Sequence, residues 1–266
     1  MNAPISNTNL HIEMVGVGQP LVLLHGWGMN ATVWHPLVKK LSKLFTLHMI
    51  DLPGMGLSRP LEPYHVHAIA EKVAEILPAH ADVIGWSLGG QVAMRIALDY
   101  PDLVRRLVLV GSTPCFVNKT GWESGMAPEV FSSFASSVDA DYHKTMTQFL
   151  TLQCMGSKDS RDTVKLLRKK FAERPVPTTQ TLRKALQILL DTDLREEIEF
   201  LRKPTLLIHG DRDTLAPVQA AHWMMKNLPA GYLRVMAGAS HAPFLSHQEA
   251  FIEALVQFLE PPQATA

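Results

Sequence analysis

The six residues 85–90, which read GWSLGG, constrain the fold of this chain more strongly than any other segment. They follow the apolar pair Val83 and Ile84 and precede a run of residues that favours a helix. A G-x-S-x-G pattern between a strand and a helix is typical of a serine nucleophile held on a sharp turn. Gly85 and Gly89 avoid side chains where the strand and the helix cross. We therefore predict that Ser87 presents its hydroxyl at the N-terminus of a helix, where developing negative charge is favoured.

The composition permits a large apolar core and indicates no bulk affinity for a charged partner. The chain has 266 residues, of which 47% are hydrophobic, and its formal net charge is +0 at pH 7. This balance gives no reason to expect nucleic acid or a membrane as a partner. The polar N-terminal residues show no secretory signal, so we expect a cytoplasmic protein in which Cys115 and Cys154 are reduced thiols. No histidine or cysteine spacing matches a metal motif, so we expect no bound metal.

Apolar runs and helical patterns alternate on both sides of a long helical segment. Helices are expected between the strands, among them one at 33–43 and a last one after Ser246, its predicted N-cap. Only helical patterns occur from about residue 112 to 191. Strands are predicted at residues 21–24, 45–50, 82–84, 106–110, 205–209 and 232–236.

Continuous apolar strands separated by helices indicate a parallel sheet covered on both faces. We therefore predict an α/β fold with a mostly parallel central sheet. Its core domain would comprise residues 1–111 and 192–266, and residues 112–191 would form an inserted, all-helical cap. Since ligands of such sheets bind at the carboxyl ends of the strands, a cap that leaves from a strand end would cover the site.

Three residues that follow predicted strands form a candidate catalytic set. Ser87, Asp213 and His241 lie in loops at the same edge of the predicted sheet. A serine hydroxyl needs a base to take its proton, and an imidazole has a suitable pKa. A buried carboxylate would hold the imidazole in one tautomer and stabilise its charged form. Asp211 competes with Asp213 for the acid role, and we favour Asp213 because it has the longer loop reach before Pro217.

Two backbone N–H groups are candidates for the oxyanion hole that an acyl-transfer transition state requires. One belongs to Leu88, directly after the predicted nucleophile, and the other to Trp27 in the turn HGWG at residues 25–28. The indole of Trp27 would remain free to line the pocket. We interpret Asp51, at the start of another glycine-rich turn, as a structural residue that shapes its loop.

Together these motifs resemble the α/β-hydrolase superfamily over nearly the whole chain. Within it they are similar to the carboxylesterases of biotin synthesis, which release methanol from the methyl ester of pimeloyl-acyl carrier protein. That resemblance also favours Asp213 over Asp211 and implies no metal or organic cofactor. It is carried by residues 23–29, 45–48 with 51–54, 85–90, 112–116, 149–156 and 239–244.

The resemblance further implies an acyl pocket and a surface that binds an acidic carrier protein. Arg161, Lys165 and Arg168 recur at i, i+4 and i+7 and so share one helix face, although a merely solvated face is the alternative. One further basic position of the family is Gln148 here. The residues expected to face the carrier are Lys144, Arg161 and Lys165. The residues expected to line the pocket are Trp27, Ser87, Leu88, Phe149, Leu150, Thr151, Leu152, Gln153 and His241.

Other functions fit the same motifs. A general short-acyl carboxylesterase with no carrier partner would use identical chemistry. A C–C bond hydrolase, a cofactor-free haloperoxidase and a ligand-binding protein that has lost turnover are further alternatives, because the fold does not fix the function. Our leading hypothesis is a monomeric esterase whose ester substrate is carried on acyl carrier protein.

Overall fold

The computed structural model describes residues 9–140, 142–152 and 160–260, and all structural statements below refer to these residues. One sheet of seven strands lies between layers of helices. The strands are β1 (Ile12–Gly16), β2 (Gln19–Leu24), β3 (Phe45–Ile50), β4 (Ala81–Trp86), β5 (Val104–Val110), β6 (Thr205–Gly210) and β7 (Gly231–Met236). The α-helices are α1 (His35–Leu41), α2 (Val66–Ala74), α3 (Leu88–Asp99), α4 (Pro128–Ala140), α5 (Tyr142–Leu152), α6 (Ser160–Ala172), α7 (Thr179–Asp191), α8 (Val218–Asn227), α9 (Pro243–Ser246) and α10 (Gln248–Leu259).

The strand order β1-β3-β2-β4-β5-β6-β7 places two functional turns side by side. All neighbouring strands are parallel except β1, which pairs antiparallel with β3 at the edge of the sheet. The order reverses between β2 and β4, where Leu24 is in register with Gly85. Such a reversal opens a crevice at the carboxyl ends of the strands. The turns that follow β2 and β4 therefore meet at the usual ligand site of an α/β sheet.

Helices cover both faces of the sheet because successive strand residues point to opposite sides. Leu21 and Leu23 belong to one buried apolar cluster, and Val22 and Leu24 belong to the other. All six residues of β4 are buried, as expected for a central strand of a parallel sheet. The predicted α/β architecture is confirmed.

The described residues between β5 and β6 form four α-helices, α4 to α7, and a short 3-10 helix, Ile198–Phe200. Helix α7 begins where the Thr178 side chain accepts a hydrogen bond from the Thr181 N–H at 3.1 Å. Its buried residues Leu182, Leu186 and Leu189 recur at helical spacing, so α7 turns one apolar stripe inward. Helix α4 packs on α5 and α7, and α6 packs on α5. The boundaries of a cap domain at residues 112 and 191 stay a prediction.

Three local predictions differ from the structure. β1 was not predicted, because its residues are largely exposed and carry no continuous apolar run. The helix expected at 33–43 begins as a 3-10 turn, Ala31–Trp34, capped by the Asn30 side chain, before α1. The N-cap prediction for Ser246 is wrong: Pro243 starts the short helix α9, Ser246 ends it, and α10 begins after His247.

Candidate active site

The turn between β4 and α3 holds Ser87 in a strained backbone conformation. Its φ of 56° and ψ of −119° lie outside the regions that non-glycine residues usually adopt. The Ser87 N–H donates to the Val110 carbonyl at 3.0 Å, and the Ser112 hydroxyl donates to the Ser87 carbonyl at 2.9 Å. A Cβ atom on Gly85 would lie 2.3 Å from the Gly89 carbonyl oxygen, so the turn requires glycine there. The surrounding contacts thus hold the strained turn in place.

A buried hydrogen bond joins the two other predicted catalytic residues. His241 Nδ1 lies 2.8 Å from Asp213 Oδ2, and both side chains are almost fully excluded from solvent. The other carboxylate oxygen, Asp213 Oδ1, accepts the N–H groups of Leu215 and Ala216 at 2.9 Å each. Because an ionised carboxylate only accepts hydrogen bonds, the proton of a neutral imidazole lies on Nδ1 and its lone pair on Nε2. His241 Nε2 is buried and has no hydrogen-bond partner in the described part of the chain.

The structure separates the two competing aspartates. Asp211 is exposed, and its carboxylate accepts the N–H of Gly238 at 2.7 Å, which closes a turn. Asp213 instead bonds His241. Gly111 leaves room for this bond, since a Cβ atom there would lie 3.0 Å from His241 Nδ1. Of the two carboxylates, the one that is bonded to the imidazole is therefore that of Asp213.

Two backbone donors flank the serine at the switch point of the sheet. A Cβ atom on Gly26 would lie 3.2 Å from the Ser87 Cβ, so the turn after β2 directly adjoins the nucleophile turn. Within the residues that the structure describes, neither the Trp27 N–H nor the Leu88 N–H donates to another protein group. Leu88 is the first residue of α3, where N–H groups lack helical acceptors. Both N–H groups are available to a ligand oxygen near Ser87.

The turn after β2 is held by a buried polar network. Leu52 donates its N–H to His25 Nε2 at 2.9 Å, and burial lowers the pKa of His25, which favours the neutral, accepting ring. Asp51 accepts the N–H of Ala31 at 2.6 Å and of Leu57 at 2.9 Å. These bonds agree with the structural role that we expected for Asp51.

Ser87 and His241 line the same cavity. Among the described residues that line it, none is an Asp, Glu, Lys or Arg, so this lining suits an uncharged, aliphatic group. Helices α4, α5 and α7 supply six of the other lining residues. Apart from Ser87 and His241, the lining is Phe116, Met126, Val130, Phe131, Phe134, Phe149, Leu186, Leu189 and Leu215.

The predicted pocket segment of α5 contributes one described side chain to this lining. Phe149 lines the cavity, but Leu150 packs into a core cluster on the other side of the helix and Thr151 is exposed. Helical geometry turns consecutive residues to different faces, so a continuous run cannot line one pocket. The Leu152 side chain and Gln153 lie outside the described part of the chain.

The side chain of Trp27 differs from our expectation. Its indole is not free: the ring N–H donates to the Leu182 carbonyl of α7 at 2.9 Å. The ring packs edge-to-face on Phe134 and Phe149, with centroids 5.2 and 4.8 Å apart. Trp27 and Leu88 are buried and do not themselves line the cavity.

Most of the lining was missed at the sequence level, although a signal was present. Phe131 and Phe134 stand three residues apart, as do Leu186 and Leu189, and each pair lies in a predicted helix. Such spacing marks an apolar helix face but does not distinguish a pocket from a core. Only the structure shows that these faces converge on Ser87.

The basic residues of α6 lie on the surface. Arg161, Lys165 and Arg168 are exposed, and so is Gln148 of α5. The side chain of Lys144 lies outside the described part of the chain. Of the residues expected to face the carrier, the structure therefore describes the side chains of Arg161 and Lys165, both in α6.

Neither a metal cluster nor a membrane span is found among the described residues. No three His, Cys, Asp or Glu side chains come together as a potential metal site there. None of the described helices combines the length and apolar character that crossing a bilayer requires. Cys115 is a buried, free thiol whose pKa is raised by burial, and Cys154 lies outside the described residues.

The family follows from the fold, the site and a comparison with known proteins. A family model described as alpha/beta hydrolase fold matches residues 19–248. This chain belongs to the α/β-hydrolase family.

Some relatives are similar to this chain in sequence over nearly their whole length. The chain is 44% identical over 244 residues to the pimeloyl-acyl-carrier protein methyl ester esterase of Nitrosomonas europaea, which covers 92% of this chain and 97% of the relative. It is 40% identical to the protein of the same name from Aeromonas salmonicida, over 94% of this chain and 99% of the relative. Both alignments include the turn at Ser87 and nearly the whole chain.

Solved structures match the fold at lower identity. An esterase from Exiguobacterium antarcticum superposes with a TM-score of 0.88 at 23% identity, covering 94% of this chain and 95% of that one. A bromoperoxidase from Bacillus anthracis superposes with a TM-score of 0.87 at the same identity and coverage. Since proteins named for different reactions fit equally well, these likenesses establish the fold alone.

A further buried histidine, His209, makes the stability of the folded protein depend on pH. His209, in β6, is fully buried, and burial lowers its pKa from 6.5 to about 4, an effect that the nearby Asp213 carboxylate only partly offsets. Above pH 6.5 its imidazole is neutral in the folded and unfolded states. Between pH 6.5 and 4 the unfolded chain binds a proton that the folded chain does not, so stability falls as the pH falls.

We expect this group to remove about 2.5 kcal/mol from the free energy of unfolding between pH 7.5 and 4.5. His209→Met places an apolar side chain of similar size at this position and removes the titratable imidazole. Urea unfolding of both proteins at the two pH values measures the difference, and the variant should lose less stability by that amount. An equal loss in both proteins would contradict the prediction.

Proposed function

We propose that this protein is a serine carboxylesterase that hydrolyses the methyl ester of pimeloyl-acyl carrier protein. The products are methanol and pimeloyl-acyl carrier protein, as expected for a step of biotin synthesis. The hydrogen bond between Asp213 and His241, at a cavity that His241 shares with Ser87, is the observation that carries the chemistry. The identity to relatives named for this reaction, over more than nine-tenths of each chain, supports the substrate.

The first half of the reaction forms an acyl-enzyme. His241 Nε2 takes the hydroxyl proton of Ser87 as its oxygen attacks the ester carbonyl. The carbonyl oxygen becomes an oxyanion, which the N–H groups of Trp27 and Leu88 stabilise. Asp213 stabilises the imidazolium. When the tetrahedral intermediate collapses, the imidazolium returns its proton to the methoxy group and methanol leaves.

The second half releases the acid. His241 Nε2 takes a proton from a water molecule, whose oxygen attacks the acyl group on Ser87. The same two N–H groups stabilise the second oxyanion. Collapse of this intermediate frees the carboxylic acid and returns the proton from His241 to Ser87 Oγ. The carboxylic acid then ionises at neutral pH, and a carboxylate is disfavoured beside an apolar lining, which promotes product release.

The cavity and its position support a long aliphatic acyl group. The methylene chain of a pimeloyl group is apolar, like the nine residues that line the cavity besides Ser87 and His241. We propose residues 112–191 as a cap over a core of residues 1–111 and 192–266. The cap helices α4, α5 and α7 supply most of the lining. Phe149 and the segment that follows it to Gln153 would contact the substrate from the cap.

An acidic carrier would meet the basic surface of α6. Arg161 and Lys165 are exposed and separated by four residues, so they project from one helix face. We propose that they, with Lys144, attract acyl carrier protein and position its acyl arm at the cavity. The enzyme would act as a cytoplasmic monomer. A short-acyl esterase that needs no carrier protein is the alternative function. Reversing the charges of Arg161 and Lys165 distinguishes the two functions.

The acid assignment is tested by Asp213→Asn and its matched control Asp211→Asn. An asparagine at 213 no longer stabilises the imidazolium and favours the wrong tautomer, so we expect kcat to fall about 10⁴-fold with little change in KM. Asp211→Asn should stay within about threefold of the wild type, because its carboxylate closes an exposed turn. Steady-state hydrolysis of p-nitrophenyl butyrate measures both. Loss of turnover in the Asp211 variant alone would overturn the assignment.

The carrier proposal is tested by reversing charge in Arg161→Glu/Lys165→Glu. Repulsion of an acidic carrier should lower kcat/KM for pimeloyl-acyl carrier protein methyl ester about tenfold at low salt, and added salt should reduce the difference. Hydrolysis of p-nitrophenyl butyrate should not change. The control, Arg202→Glu/Lys226→Glu, alters net charge equally at exposed residues outside α6. Equal carrier activity in the two double variants would favour the carrier-independent esterase.

A further inference from the structure

We infer that the indole of Trp27 is a latch that couples the position of the cap helices to the oxyanion hole. Trp27 then has two parts with separate tasks: its backbone N–H stabilises the oxyanion, and its side chain positions that N–H. The inference rests on the serine-esterase mechanism proposed above, but not on the identity of the substrate. It makes the indole a positioning group whose effect reaches the reacting atoms through the backbone.

One side chain connects the oxyanion turn to three helices that follow β5. The Trp27 indole N–H donates to the carbonyl of Leu182 in α7 at 2.9 Å. The same ring packs edge-to-face on Phe134 of α4 and Phe149 of α5. Phe134 and Phe149 also contact each other, with ring centroids 5.2 Å apart. Trp27 therefore sits at the point where α4, α5 and α7 converge.

The fourth helix is bound to the same stretch of chain. The Thr32 hydroxyl lies 2.9 Å from the Lys170 carbonyl near the end of α6. The Asn30 side-chain amide lies 3.4 Å from the carbonyls of Lys170 and Phe171. We call residues 27–32 the cap seat, since they bind all four α-helices between β5 and β6. Asn30 and Thr32 contact backbone carbonyls of α6, so these contacts depend on the position of the helix itself and not on the conformation of its side chains.

The cap seat is also rigidly joined to the nucleophile turn. Met29 donates its N–H to the Gly26 carbonyl at 3.2 Å, and Ala31 donates to Asp51 at 2.6 Å. Gly26 adjoins Ser87 closely enough to exclude a Cβ atom without displacement. A shift of the indole therefore acts on a short, constrained loop whose other end faces the serine.

The hydrogen bond from the Trp27 indole to the Leu182 carbonyl makes the position of the indole depend on the position of α7. If α7 moved away from the core, the buried indole N–H would lose its acceptor, and an unpaired buried donor is unfavourable. The ring would have to reorient, and the Trp27 backbone N–H would move with it. With α7 in the position seen here, the indole is satisfied and the backbone N–H stays fixed beside Ser87. The oxyanion hole is thus fully assembled only when the cap is seated.

A comparison of two tryptophans in neighbouring positions tests the latch. Trp27→Phe keeps an aromatic ring but deletes the N–H that binds Leu182. Trp34→Phe is the matched control, because Trp34 is equally buried nearby but its indole N–H has no acceptor within the described residues. Both variants lose the same atoms from a buried site. Only Trp27→Phe should affect the oxyanion hole.

The readouts separate transition-state stabilisation from binding and folding. For p-nitrophenyl butyrate, Trp27→Phe should lower kcat about tenfold with KM unchanged, which is less than the loss of a whole oxyanion donor. The inhibition constant of an alkyl trifluoromethyl ketone, whose adduct with Ser87 carries an oxyanion, should rise by a similar factor. Trp34→Phe should leave both values within about twofold of the wild type.

Several results would overturn the latch. One is an equal effect of Trp27→Phe and Trp34→Phe on kcat. Another is a rise in KM for Trp27→Phe without a fall in kcat, because that would indicate a loss of substrate binding only. If Trp27→Phe does not fold, Thr32→Val tests the other half of the cap seat. It removes the hydroxyl that lies 2.6 Å from Asn30 Oδ1 and 2.9 Å from the Lys170 carbonyl, and a loss of about threefold in kcat and in ketone affinity supports the coupling. Wild-type values for Thr32→Val would overturn it.

The substrate proposal and the latch can fail separately. A wild-type enzyme that hydrolyses p-nitrophenyl butyrate but not pimeloyl-acyl carrier protein methyl ester would refute the carrier substrate. The comparison of Trp27→Phe with Trp34→Phe on p-nitrophenyl butyrate would then still decide the latch. A wild-type enzyme inactive on both esters would overturn the latch and the esterase mechanism together.

Discussion

The strained backbone of Ser87 is the constraint on which the site depends. A serine at φ 56° persists only because β4, α3 and the carbonyl of Val110 fix it from several sides. A Cβ atom on Gly85 would lie 2.3 Å from the Gly89 carbonyl oxygen, and one on Gly89 would lie 2.4 Å from the Leu24 carbonyl oxygen of β2, so neither position admits a side chain. The same crossing exposes the first N–H groups of α3. One local conformation thus presents both the serine that we propose as the nucleophile and an N–H group that we propose as an oxyanion donor.

The rest of the site is assembled across distant parts of the chain. The sheet order brings the turn after β2 beside the turn after β4, and it delivers Asp213 and His241 from the strands that follow the helical segment. Helices α4, α5 and α7 then supply most of the apolar lining of the cavity that Ser87 and His241 share. Trp27 connects the two parts of the chain, because it lies in the turn after β2 and its side chain contacts α4, α5 and α7.

The sequence predicted most of the elements that carry a continuous local pattern. Strand β3, which was predicted at residues 45–50, and the sharp turn between β4 and α3 are encoded by contiguous residues. Loop length favoured Asp213, whose carboxylate bonds His241, and its role as the catalytic acid stays a prediction. Contacts between distant elements could not be predicted in the same way. An apolar stripe on α4 or α7 looks the same whether it faces a core or a pocket, and nothing local to Trp27 indicates a hydrogen bond to a residue 155 positions away. The edge strand β1 was missed because exposure on both sides removes its apolar signature.

The central claim is that His241 activates Ser87 as the nucleophile of the folded protein. A fluorophosphonate reacts with a serine only when a neighbouring base removes the hydroxyl proton and an oxyanion hole receives the phosphoryl oxygen. Labelling the protein at neutral pH, followed by mass-spectrometric peptide mapping, tests the claim most directly. If His241 activates Ser87, one adduct forms, on Ser87, and it is absent from His241→Ala and from the urea-unfolded chain. A folded wild-type protein that stays unlabelled, or that carries the adduct on another residue, would contradict it.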